Sequence, residues 1–231
     1  EAARVRYGTE GKMCAPMVLR APHGGGVRGG LYHSQSVEAL FAHTPGLKVV
    51  TPSTPYDAKG LLKTAIRDDD PVVFLEHKRT YRLVRGEVPD DEYTIPIGKA
   101  DVKKSGSDIS VITYGLMVHH CLEAANELID ENIDVEVVDL RTVRPIDEEL
   151  VLESAKKTGK ILIVHEDNKV LGVGAEISAM ISENAFEFLD APISRLAGPE
   201  VPAMPFNPPM EAVYMISSED IKKSIKELAE Y

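Results

Sequence analysis

The stretch GLKVVTPSTPYDAKGLLKTAIRDDDPVVFLEH, residues 46–77, decides the fold class. Its ends, GLKVVTP and PVVFLEH, are short continuous apolar runs bounded by glycine, proline and aspartate, a pattern that predicts strands buried on both faces. Between them STPYDAKGLLKTAIRD predicts a helix. Ser53 or Thr54 is placed to cap it, Pro55 suits a first turn that needs no N–H, and Ala58, Leu61, Leu62, Ala65 and Ile66 fall on one face. A strand, a helix and a strand in this order cross over into a parallel pair, so the class is α/β with a mainly parallel sheet covered on both sides.

Upstream, PMVLRAP (16–22) predicts another strand and SVEALFAHT a helix with apolar residues at 37, 40 and 41. Three strands seldom make an independent parallel sheet, so this first block needs strands from upstream of residue 1 or from another chain. From Lys78 to about Asp108 the chain turns polar and proline-bearing, which is linker behaviour. A second α/β block follows. DISVITYG is a strand, Val118 to Ile129 a helix, IDVEVVDLRTV a strand, and 147–157 a helix. KILIVHED is a strand, GVGAEIS opens a helix, APISRLAG is a short strand, and a last helix starts at Ser217 or Ser218 beyond a proline-rich crossing. The expected organisation is a partial first domain over residues 1–85, a linker over 86–108 and a complete second domain over 109–231.

Composition narrows the function classes. The 231 residues are 43% apolar, enough for real cores, and contain no run of about 18 apolar residues that would span a membrane. With 26 basic against 37 acidic residues, the net charge of −11 argues against a nucleic-acid surface and for small molecules or basic protein patches. Cys14 and Cys121 are far apart and lack metal-ligand spacing, which fits a reducing, intracellular setting.

Five glycines among residues 24–30 lead into GGLYHSQS (29–36). Such a loop, following a strand, is where an α/β protein presents a side chain to a ligand. His33 either hydrogen-bonds the local backbone or moves a proton near neutral pH, with Ser34, Gln35 and Ser36 to orient it. Arg28 is either an anion ligand or a solvated charge. Asp68, Asp69 and Asp70 follow a helix C-terminus, where the dipole disfavours carboxylates; a bound cation or a solvated turn would each tolerate them. His165, Glu166 and Asp167 stand at a strand end as a site or as an ion-paired terminus. GVGAEIS (172–178) lacks the third glycine of a dinucleotide loop and reads as helix packing, and His119 and His120 point different ways.

The segment from Arg20 to Arg82, then VPDDEYTIPIGKADV and VVDLRTVRPID, resembles the β subunit of the E1 component of 2-oxo acid dehydrogenase complexes, thiamine diphosphate enzymes related to transketolase. HEDNKVLGVGAEIS with DAPISRLAGPEVPAMPF is more similar to branched-chain members than to those acting on pyruvate or acetoin. The resemblance implies a pyrimidine-binding domain, with further chain upstream bearing the glutamate that activates the cofactor, followed by a transketolase C-terminal domain. It implies an α2β2 tetramer in which the α subunit holds the diphosphate and magnesium, an E2 lipoyl acyltransferase as acceptor, and a small 2-oxo acid as substrate. It makes His33 the active-site histidine beside thiamine diphosphate, and puts a potassium ion on the carbonyls of Met17, Ala65 and Ile66 with Asp68 and Asp70, the last standing where many relatives have asparagine. Without its upstream part, such a chain would instead be a non-catalytic docking module. The implied setting is the cytoplasm, or the mitochondrial matrix of a eukaryote.

Overall fold

The computed structural model describes residues 1–231. The deciding stretch folds as expected into β2 (Lys48–Val50), α4 (Pro55–Ile66) and β3 (Val72–His77), with the two strands parallel and Val49 beside Val73. Thr54 is the cap: its hydroxyl accepts from the Asp57 N–H at 3.1 Å, and Pro55 opens the helix. Leu61 and Ala65 are buried, but Ile66 is 64% exposed, because α4 has turned its last residue off the core. Asp57, one and two turns before Leu61 and Ala65 on the same face, is fully buried as well.

Around this unit the first block holds α1 (Ala2–Gly8), β1 (Val18–His23), α2 (Gly30–His33), α3 (Glu38–Ala42) and, after β3, α5 (Thr80–Leu83). The second block runs β4 (Asp101–Lys104), β5 (Ile109–Thr113), α6 (Met117–Glu127), β6 (Val135–Asp139), β7 (Thr142–Arg144), α7 (Glu148–Thr158), β8 (Ile161–Asn168), α8 (Val173–Asn184), β9 (Ser194–Gly198), α9 (Pro208–Tyr214) and α10 (Ser218–Ala229).

Two sheets result, ordered β1-β3-β2-β7 and β4-β6-β5-β8-β9. All pairings are parallel except those of β4 with β6 and of β7 with β2. Two features depart from expectation. IDVEVVDLRTV is two strands, because Arg141 takes a left-handed φ of 57° and swings β7 onto the edge of the first sheet. The stretch read as linker, 86–108, contains β4, which closes one edge of the second sheet.

The two sheets share one core. Val49, Val73 and Leu75 of the first pack in the same cluster as Ile112, Val138 and Ile163 of the second and Ile177 of α8. Each such side chain, removed wholly from water, contributes about 1.5–3 kcal/mol. On the far face, Ile109, Val111 and Leu162 pack under α6 and α10. The opposite edge of the first sheet, β1, is open, with Leu19 52% exposed.

Candidate active site: a clamped glycine loop

β1 ends at His23 and β3 at His77, side by side in a parallel pair, so both imidazoles stand at the carboxyl edge of the first sheet. From His23 the chain enters the glycine loop. Gly24, at φ 87°, lies so close to the His77 ring that a Cβ would come within 2.1 Å of it. Gly30, at φ 60°, lies under Phe206 of the second block, whose ring would stand 2.3 Å from a Cβ. Both positions therefore combine a left-handed backbone with a close approach that excludes a side chain. The loop is tied at its base by the Gly24 N–H donating to Gln35 O at 2.9 Å. One short turn of helix, α2, then carries Tyr32, 82% exposed, and an exposed His33. Lys78 donates to the His33 carbonyl, holding that turn from below.

Two carboxylates from the second block grip the loop. Glu166 Oε1 accepts from the Gly25 N–H at 2.6 Å and from Ser36 Oγ at 3.1 Å, while Oε2 accepts from His77 Nε2 at 2.9 Å. The Arg79 N–H donates to His77 Nδ1 at 3.3 Å, which leaves the ring proton on Nε2, facing Glu166. Glu211 Oε1 accepts from the N–H of Arg28, whose φ of 59° is the strained point of the loop. Arg28 thus acts here through its backbone; its side chain is exposed.

Beneath the loop lies a buried titratable cluster. Burial of Glu166 opposes its ionisation, but the N–H groups of His77 and Gly25 outweigh burial and hold the carboxyl at about 2. Burial, reinforced by neighbouring His77, pushes His23 down to about 3, and both of its ring nitrogens lack partners. Burial likewise lowers His165 to about 4. Burial first and Asp167 second push Glu38 well above the usual carboxylate range. At neutral pH His23 and His165 are thus uncharged, beside the Glu166 carboxylate.

The other candidates are placed as follows. His165, Glu166 and Asp167 do end β8 together, and Glu166 is the one that reaches the loop. Gly172 and Gly174 of the GVGAEIS stretch pack against the His165 ring. His119 Nε2 bonds the Ser53 carbonyl at 2.8 Å and plays no part at the loop. Sequence reasoning missed His23, His77, Glu211 and Phe206. Two of these had a signal, a histidine closing each of two neighbouring strands.

Profiles of known families agree with this architecture. The profile "Transketolase, pyrimidine binding domain" matches residues 1–84 and "Transketolase, C-terminal domain" residues 98–221. The chain is 58% identical to the 2-oxoisovalerate dehydrogenase subunit beta of Bacillus subtilis (strain 168) over 231 residues, all of this chain and 71% of the relative. It belongs to the β-subunit family of 2-oxo acid dehydrogenase E1 components. It is also 48% identical to the pyruvate dehydrogenase E1 component subunit beta of the same organism, over 100% of this chain and 70% of that one. A solved structure, "Split gene transketolase, inactive beta4 tetramer", aligns with a TM-score of 0.76 at 24% identity, covering 99% of this chain and 74% of its own, and shows the shared fold. No helix of the E1 β chain is long and apolar enough to cross a membrane.

Four of the five residues that the E1 β resemblance assigned to a potassium ion have partners within the chain. Both oxygens of Asp68 lie 2.7 Å from Lys48 Nζ, and Asp70 Oδ2 lies 3.1 Å from Arg6 and 3.4 Å from Lys48. The Met17 carbonyl accepts from the Val72 N–H at 2.9 Å and that of Ala65 from the Asp68 N–H at 3.3 Å, and Ile66 ends α4 beside them. An ammonium thus sits on the carboxylates that a monovalent ion would use.

Proposed function

We propose that this chain is the β subunit of a thiamine diphosphate-dependent E1 enzyme that decarboxylates branched-chain 2-oxo acids and passes the acyl group to the lipoyl arm of an E2 acyltransferase. The observation that carries the reading is His33: an exposed imidazole at the end of a glycine loop that two domains hold in place. The likeness to a protein named for 2-oxoisovalerate favours that substrate over pyruvate or acetoin.

The cofactor fits against this loop because the glycines let a flat ligand approach the backbone and because His33 faces outward with Leu31 and Tyr32 exposed beside it. When bound, it supplies the electron sink that lets the carboxylate leave as carbon dioxide. His33 delivers or accepts a proton through a ring nitrogen at the reacting oxygen or sulfur, an acid–base contribution worth about 10²–10⁴ in rate. Leu31 and Tyr32 offer apolar surface beside it for a cofactor or subunit to cover. An α subunit contributes the diphosphate and magnesium side within an α2β2 assembly. We assign residues 1–85 to the pyrimidine-binding domain and 109–231 to the C-terminal domain, joined by 86–108, in a cytoplasmic setting or a mitochondrial matrix. Potassium competes with Lys48 for Asp68 and Asp70.

The test is reconstitution of the full-length β subunit with a matching α subunit and thiamine diphosphate. Carbon dioxide release from 2-oxoisovalerate should exceed that from pyruvate and acetoin in direct competition. Preference for either competitor would overturn the substrate reading, and no turnover with any of the three would overturn the enzyme reading.

A further inference from the structure

His33 has a backbone that is only as well placed as the loop behind it. Five of the seven residues at 24–30 are glycine, which resists no distortion by itself. Rigidity must be imported, and the structure shows a relay that imports it. The Arg79 N–H fixes His77 Nδ1, His77 Nε2 donates to Glu166 Oε2, and Glu166 Oε1 collects the Gly25 N–H and the Ser36 hydroxyl. Gly25 precedes α2 and Ser36 follows it, so a single carboxylate oxygen holds both flanks of the turn that presents His33. Glu166 stands on β8, in the second block, and is itself buried.

We propose that Glu166 is a positioning residue for the reaction: it touches neither substrate nor cofactor, and sets the place of the His33 ring from the neighbouring domain by holding Gly25 and Ser36. The inference rests on the role given to His33 above. Both carboxylate oxygens are engaged, and each partner is a donor. An amide of the same shape has one oxygen and one N–H2 group, so in either orientation Glu166→Gln loses one arm of the relay, facing a donor to His77 or to the loop. Ser36→Ala removes only the hydroxyl arm and leaves the tie between Glu166 and His77 whole.

Misplacing a reacting group by about 1 Å costs on the order of 10²-fold in rate. In the enzyme assembled with its α subunit, Glu166→Gln should lower kcat for acyl transfer to a lipoyl-bearing E2 domain by about 10- to 100-fold, and Ser36→Ala should lower it by less. The decisive measurement is a double-mutant cycle with His33→Ala. If Glu166 acts through the His33 ring, adding Glu166→Gln or Ser36→Ala to His33→Ala should change the residual rate by less than about two-fold. Should the losses multiply in the His33→Ala background, or should both variants match the parent enzyme, Glu166 is a structural residue only and the inference fails. Full acyl transfer by His33→Ala alone would instead sink the functional reading on which it rests. Should Glu166→Gln not assemble, the Ser36→Ala arm runs the same cycle, and the same two results support or overturn the inference.

Discussion

Replacing Gly30 by alanine tests whether loop geometry, and not mere folding, places His33. Gly30 has a φ of 60°, and a Cβ there would stand 2.3 Å from the Phe206 ring. Gly115, between β5 and α6, has the same φ of 60°, yet its Cβ would meet nothing within 4 Å. An L-residue in the left-handed region costs about 1–2 kcal/mol, so both substitutions carry the same backbone penalty. At roughly 2–4 °C per kcal/mol for a chain of this size, each should lower the melting midpoint by roughly 2–8 °C. Only Gly30→Ala also meets a collision. Phe206 and α2 must separate by about 1 Å to reach an ordinary 3.4 Å contact. Phe206 is 63% exposed and gives way in part, with the remainder falling on the turn that carries His33. A displacement of that size costs up to about 10² in rate. Gly30→Ala should therefore lose much of its acyl transfer in the assembled enzyme, Gly115→Ala little, and Gly30→Ala with Phe206→Ala should regain part of the rate while keeping the lowered midpoint. Equal activity losses at Gly30 and Gly115, or an undisturbed rate in Gly30→Ala, would refute the reasoning.

Three further outcomes follow from the same geometry. Asp57 is buried between Lys103 Nζ at 2.8 Å and Arg141 Nε at 2.9 Å, and both cations also hold Asp101 at 2.8 Å, so Asp57→Asn should cost about 1–3 kcal/mol through the weakened charged contacts, and a denaturant titration showing no loss would contradict it. His165 is held at about 4, below its ordinary 6.5, so its contribution is complete above pH 6.5 and is lost as pH falls towards 4; His165→Gln should flatten that acid limb by about 1.4 kcal/mol per pH unit, and parallel stability curves for parent and variant would exclude the linkage. Lys48→Met should make the melting midpoint rise with potassium chloride more steeply than with choline chloride, and identical salt curves would exclude a cation at Asp68 and Asp70.

Periodicity and capping carry information only about residues near one another in the chain, and the outcome divides along that line. Thr54, Pro55 and the apolar runs of β2 and β3 act over one or two turns, and all were legible. The break after Asp139 was not, because the valine-rich run continues across it; only the left-handed Arg141, held through Asp57 of another element, turns β7 away. His33 was legible from the glycines ahead of it. Glu166 showed only as a strand-end acid, since its partners Gly25 and Ser36 lie 141 and 130 residues away. Phe206, in a proline-rich crossing without period, and Glu211, on the short α9 that follows, left no local trace of their place over the loop. The residues alone left aspartates 68 to 70 open between a cation and a solvated turn, since Lys48, which pairs with Asp68 and Asp70, reaches them from β2.

The first block takes part of its cover from the second, which bears on the site. Three parallel strands leave too little apolar surface covered, and the second block covers one side while the β1 edge stays open. β7 adds a fourth strand, and Ile112, Val138 and Ile163 close the core over Val49, Val73 and Leu75. Because that core is common, the two sheets are held in one relative orientation, and Glu166 and Glu211 reach the loop with their carboxylates already aimed. The same orientation costs the loop its independence. Its glycines contribute no packing of their own, so any motion of β8 or α9 against β3 is transmitted to α2, and with it to His33. On the proposed reading, a proton-transfer group built this way answers to contacts made far from the reacting atoms, which is why substitutions at Gly30 and Glu166, both buried, are the sharper tests of what the histidine does.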